Sequence, residues 1–143
     1  MKLLSPRELQ LWHALKHLGD LALAPVSRRL ESETGLSAGD YGILSRLDDS
    51  EDRALTQKQL QSSLGWDKTR LSHQLTRMEA RGLLRRKPAK VGRETTVTLL
   101  TKGRHAISVA RPVHAEAVRE LVLRHVAPGE VETILTVVER LRR

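Results

Sequence analysis

Residues 67–93 read DKTRLSHQLTRMEARGLLRRKPAKVGR, and their side chains suit a surface that meets a polyanion. Nine cations (Lys68, Arg70, Arg77, Arg81, Arg85, Arg86, Lys87, Lys90 and Arg93) stand against the acids Asp67 and Glu79. The stretch therefore carries +7 of a whole-chain formal charge of +8, and the remainder of the chain is almost neutral. Charge this concentrated creates a field that attracts nucleic acid. Hydroxyl, imidazole and amide groups interleaved with the cations can hydrogen-bond base edges, while Lys and Arg hold phosphates and fix register.

Other chemistries find little support. The sequence has no phosphate-cradling glycine loop, no nucleophile elbow, no HExxH pattern and no paired carboxylates in a plausible pocket, its acids being scattered apart from a cluster in the 48–53 loop, so an enzyme is not expected. Zero cysteines exclude a disulfide framework, a thiolate zinc site and a thiol redox switch. His13 and His17 have the i, i+4 spacing of a two-histidine metal site, but no acid shares their register. No metal and no cofactor are expected. With no Phe, one Tyr and two Trp, the chain lacks stacking platforms for single strands. The N-terminal MKLLSPREL has no apolar run long enough for a signal peptide or a membrane span, which points to a cytoplasmic protein with no membrane partner.

The elements that must position the basic stretch are legible from caps and periodicity. Ser5-Pro6-Arg7-Glu8 is a capping-box start, followed by apolar residues at helical spacing to about Glu33. Pro25 is expected to kink or divide that helix, and Gly35 to stop it. Ser37 and Asp40 cap a second helix reaching about Leu47, and the acidic residues 48–53 form a loop. Thr56 caps a short helix that ends at Gly65. Asp67 caps the next, whose apolar stripe is Leu71, Leu75 and Met78 and whose end is Gly82. Two short helices joined by a glycine turn make a helix-turn-helix. Leu83–Lys87 and Glu94–Leu100 read as strands around a Pro88 and Gly92 turn, so a β-hairpin wing follows. Beyond Thr101 come a long helix containing Pro112 and a last amphipathic helix after Pro128.

This order, and above all the segment LTRMEARGLLRR with GRETTVTLLTKGR beyond it, resembles the MarR family of transcriptional regulators over essentially the whole chain. Gly35-Leu36-Ser37 and the basic Arg93 of the wing also match. Where the family's wing commonly reads Asp-x-Arg, this chain has Val91 at the Asp position. The resemblance implies a mainly α fold with a small β-hairpin wing. Residues 37–100 would form the winged helix-turn-helix, flanked by dimerisation helices in 1–36 and 101–143.

Thr69, Ser72, His73 and Thr76 lie opposite the apolar stripe, on the face the resemblance places in the major groove of double-stranded DNA. Thr56 and Lys58, with Gln57, start the preceding helix, whose amide groups and dipole can hold a phosphate. Lys68, Arg70, Arg77, Arg86 and Lys90 are candidate phosphate contacts. Arg77 and Arg81 could instead pair with acids, and for Arg81 the ion pair is favoured. Arg93 would reach the minor groove. The apolar residues Leu9, Trp12 and Leu15, with Val131, Ile134, Leu135 and Val138, suit a homodimer, which would bind a pseudo-palindromic operator. Repression and release by a small phenolic or anionic effector are further implications of the family. Trp12, His13, His17 and Tyr41 are candidates to line an effector pocket, although Trp12 and Tyr41 also suit plain core or interface roles. The alternative function is architectural, sequence-independent duplex binding.

Overall fold

The structure, a computed structural model, describes residues 1–88 and 94–143. Helix α1 (Pro6–Thr34) opens on a reciprocal cap: Ser5 N–H donates to Glu8 Oε2 at 2.7 Å, and Glu8 N–H donates to Ser5 Oγ at 3.3 Å. It passes Pro25 as one 29-residue helix rather than dividing there. Proline forfeits one N–H bond and crowds the preceding turn, but Val26 and Leu30 just beyond it are buried and anchor the continuing helix. Gly35, at φ +74°, ends α1 in the left-handed region where a side chain is disfavoured. Helix α2 (Ala38–Asp49) then starts on a capping box formed by Ser37 and Asp40.

After a 3-10 turn at Glu51–Arg53 comes a strand that the sequence pattern did not suggest, β1 (Ala54–Thr56). Three residues are too few to show an alternation. Helices α3 (Gln57–Leu64) and α4 (Lys68–Ala80) are joined through Gly65, which is left-handed at φ +67°. Strands β2 (Leu84–Lys87) and β3 (Thr96–Leu99) follow, each shorter than the sequence suggested. The sheet is antiparallel with order β1-β3-β2, so β3 is central; Leu55 and Arg86 both oppose Val97. Helix α5 (Thr101–Leu121) runs through Pro112, and α6 (Pro128–Leu141) begins with proline at its first turn.

The chain divides into two compact units, residues 30–113 and residues 1–29 with 114–143. In the first, Ile43, Leu44 and Leu47 of α2 meet Leu60, Leu71, Leu75, Met78, Val97 and Ile107, all fully buried. Burial of each such side chain contributes about 1.5–3 kcal/mol before entropy is charged against it. Gly103 of α5 lies so close to the start of the sheet that a Cβ there would sit 2.1 Å from the Leu83 carbonyl oxygen. In the second unit Arg29 of α1 pairs with Glu116 and Glu120 of α5.

Candidate nucleic-acid interface

Asp67 caps α4 by accepting a hydrogen bond from Arg70 N–H at 2.8 Å. The helix then turns Leu71, Gln74, Leu75 and Met78 inward, all buried, and leaves Thr69, His73, Thr76 and Arg77 exposed with Ser72 half-buried. The outward row is therefore the one read from the sequence. Arg70 stacks on Trp66 with its guanidinium carbon 4.1 Å from the ring centroid, which restrains the cation at the mouth of the inter-helix turn. Trp66 escaped the sequence reading because a lone aromatic in a turn has no periodicity.

The orientation of α4 is held by a buried polar cluster. Asp40, the acid of the α2 capping box, is 3 % exposed. Its Oδ1 accepts from Gln74 Nε2 at 2.7 Å, and its Oδ2 accepts from Arg81 Nη1 at 2.7 Å and from Ser37 N–H at 3.0 Å. Gln74 Oε1 in turn accepts from Arg77 Nη2 at 2.6 Å. A buried carboxylate is tolerated when its lone pairs are filled this way. The sequence carried a sign of it: Gln74 is a polar residue three after Leu71 and four before Met78, inside the apolar stripe. The expectation that Arg81 pairs with an acid matches the Arg81–Asp40 contact, though the partner lies 41 residues away.

A second tie joins α4 to the wing strand. Glu79 accepts from Arg86 N–H at 2.8 Å and from its guanidinium at 3.1 and 3.3 Å, while Arg86 Nη2 also donates to Thr76 Oγ1 at 3.0 Å. The bond from the Arg86 backbone, helped by the guanidinium, holds the Glu79 carboxyl below its ordinary range against the cost of desolvation. Arg86 was assigned to DNA from the sequence; here its guanidinium is engaged with Glu79 and Thr76. The Thr76 hydroxyl also donates to the Ser72 carbonyl at 2.9 Å.

Lys58, Lys68, Arg85 and Lys87 are exposed. Thr56 caps α3, its hydroxyl accepting from Gln59 N–H at 3.1 Å. Gln57 N–H donates to the Thr95 carbonyl at 2.8 Å, so two of the first amides of α3 already have protein partners. Lys90, Val91 and Arg93, the wing residues singled out in the sequence, lie outside the described residues.

In the other unit, Leu9, Trp12, Leu15, Val131, Ile134, Leu135 and Val138 are all exposed, from 40 % for Val138 to 53 % for Trp12. His13 and His17 are exposed on α1, and Lys16 lies 5.7 Å from the centroid of the Trp12 ring. Tyr41 belongs to the unit of residues 30–113 and packs half-buried on its core, where desolvation raises its pKa. Among the described residues, no three His, Asp or Glu side chains are grouped to hold a metal ion, and no helix is long and apolar enough to cross a membrane.

A short helix, a glycine turn, a second helix showing a polar and basic row, and a small antiparallel sheet behind it make this a winged helix-turn-helix protein. Residues 34–94 match the model of the MarR family. AbsC, a MarR family transcriptional regulator from Streptomyces coelicolor, is 26 % identical, with 99 % of each chain covered and a TM-score of 0.85. Sco3205, from the same organism and crystallised in complex with DNA, is 24 % identical over 99 % of this chain and 90 % of its own, with a TM-score of 0.89. A mutant MarR from E. coli, complexed with operator DNA, shares the fold at 17 % identity and a TM-score of 0.81, covering 98 % of this chain and 99 % of its own. Among curated proteins, no sequence matches the chain. Residues 34–94 thus resemble the MarR family, and the chain as a whole shares the fold of MarR family transcriptional regulators.

Proposed function

We propose that this DNA-binding regulator acts as a homodimeric, sequence-specific repressor on a pseudo-palindromic duplex operator. Residues 37–100 read the DNA, and the flanking segments 1–36 and 101–143 form the dimer. The observation that carries the reading is the division of α4: its inward row is fully committed to the core and the Asp40 cluster, while Thr69, Ser72 and His73 face outward among cations. Such a helix can enter a major groove without unfolding anything. Thr69, Ser72, His73 and Thr76 contact bases. Lys58, Lys68, Arg70 and Arg77 meet phosphates, with Lys90 and Arg93 acting from the wing. The exposed apolar rows of α1 and α6 support a second copy as partner, because a lone chain would leave them in water.

Release by a small aromatic or anionic effector completes the proposal. DNA binding by BpsR of Bordetella bronchiseptica, a structural neighbour at 19 % identity, is regulated by 6-hydroxynicotinic acid. Trp12, His13, His17 and Tyr41 are the candidate contacts.

Selection of preferred duplexes from a random pool by the full-length protein is the test. One palindromic motif, with half-sites about one helical turn apart, is the expected result, and His73→Ala should cost about 1–3 kcal/mol on that duplex and little on random DNA. No enriched motif would replace this reading with architectural binding.

A further inference from the structure

Arg77, Arg81 and Arg86 are each held by giving guanidinium N–H groups to protein acceptors: Gln74 Oε1, the Asp40 carboxylate, and Glu79 with Thr76. Arg70 is held differently. Its guanidinium carbon lies 4.1 Å from the centroid of the Trp66 ring, and among the described residues no guanidinium N–H of Arg70 meets a protein acceptor and no carboxylate pairs with it. A cation over a ring is restrained without giving up a donor, so the whole guanidinium fork stays available to a ligand. The platform under it is fixed. Trp66 follows the left-handed Gly65, and its N–H donates to the Gln61 carbonyl at 3.3 Å. Its ring packs half-buried on the core, and its Cη2 would stand 3.2 Å from a Cβ on Gly39 of α2. The Arg70 backbone is set as well, because its own N–H is bound by the Asp67 cap.

An exposed guanidinium whose place is set before any ligand arrives suits two oxygens of one phosphate. We propose that Trp66 is a positioning residue for DNA binding: it presents the Arg70 fork to a backbone phosphate beside the groove that α4 enters. That contact fixes the register in which Thr69, Ser72 and His73 meet the bases, while carrying no sequence information itself. Trp66 acts only through Arg70. A long side chain that must be ordered during binding costs affinity, and one already ordered in the free protein does not. This inference rests on the reading of α4 as the DNA-reading helix.

Gel shifts of the full-length protein on the selected duplex and on a random one, between about 50 and 200 mM salt, test this in a cycle of Trp66→Leu and Arg70→Gln. Trp66→Leu should weaken binding about tenfold in the parent protein and by no more than about twofold in the Arg70→Gln background. Trp66→Phe keeps an aromatic face and should stay within about threefold of the parent. Arg70→Gln should weaken both duplexes alike and lower the slope of log affinity against log salt by about 1 per protomer. Equal losses from Trp66→Leu in both backgrounds, or equal losses from Trp66→Leu and Trp66→Phe, would make Trp66 a plain core residue and overturn the proposal. An unchanged salt slope with relaxed preference at one base pair would overturn the phosphate contact. Should urea titration show Trp66→Leu unfolded, Arg70→Lys decides: it keeps the charge but loses the planar fork, so it should bind about fivefold more weakly, and affinity equal to the parent's would overturn the need for a positioned guanidinium. If Arg70→Gln costs nothing while His73→Ala still weakens the selected duplex, this inference falls and the reading of α4 stands; if neither weakens binding, both fall. A phosphate contact is blind to sequence, so if no duplex is preferred the cycle reads equally on random DNA, and only the claim of specificity is lost.

Discussion

Replacing Asp40 with alanine should destabilise the chain far more than its position at a helix start suggests. The carboxylate serves three donors. Loss of its share of the α2 capping box costs about 1 kcal/mol. Gln74 Nε2, on a side chain only 8 % exposed, would be left without its partner, at about 1–3 kcal/mol. The Arg81 contact adds about 1 kcal/mol at most, because the Arg81 side chain is 42 % exposed and water screens it. The total is about 2–5 kcal/mol, overlapping the range for breaking a buried charge pair from one side. Gln74→Leu alone should cost about 1–2 kcal/mol, since Asp40 keeps its other donors. The sharper expectation is the double variant. In the Gln74→Leu background the orphaned amide no longer exists, so Asp40→Ala should cost about 1–2 kcal/mol less there than in the parent protein. Urea titrations at fixed protein concentration measure all four corners of the cycle. Strict additivity, or an Asp40→Ala loss below about 1 kcal/mol, would refute the cluster as the anchor of α4.

Glu79, with its pKa lowered by Arg86, contributes stability above its unfolded value near 4.5 and loses it as pH falls through the lower folded value. The stability gap between the parent and Glu79→Gln should thus be full at neutral pH and close in acid, and a gap independent of pH in urea midpoints would count against the tie. Gly103→Ala must displace the Leu83 carbonyl or the Leu99 side chain and should cost about 3 kcal/mol or more. Gly129→Ala, which meets open space, should change the melting curve little, and equal effects at both positions would contradict the close approach. Leu135→Glu places a charge on the exposed apolar row of α6 and should shift the proposed dimer to monomer in light scattering; an unchanged dimer mass would sink α6 as the dimer face.

Local signals in the sequence translated well into structure. Ser37, Thr56 and Asp67 each cap the helix assigned to them, and Gly35 and Gly65 take the left-handed turns. These choices are settled within three or four residues, so a sequence displays them. The Asp40–Gln74 and Asp40–Arg81 contacts span 34 and 41 residues, and nothing local announces which acid a given cation will find. Strand β1 exists because Leu55 pairs with Val97, a long-range bond that three residues cannot advertise. Of the two outcomes expected at Pro25, kink or division, division does not occur, because the buried Val26 and Leu30 that follow it hold the helix on. Of the basic stretch, the outward row of α4 was legible from its stripe, while the inward commitment of Arg86 depended on a folded wing strand.

The partition of α4 bears on how such a protein diverges. Everything that holds the helix in place is on its inner side or at its ends, and Thr69, Ser72 and His73 take no part in that framework beyond the Ser72 carbonyl, which any residue supplies. If these three positions read the DNA as proposed, drift at them retargets the protein to a new site at little thermodynamic cost. Thr76 is the exception. Its hydroxyl accepts from Arg86 of the wing strand, so a change there also removes one of the ties between helix and strand.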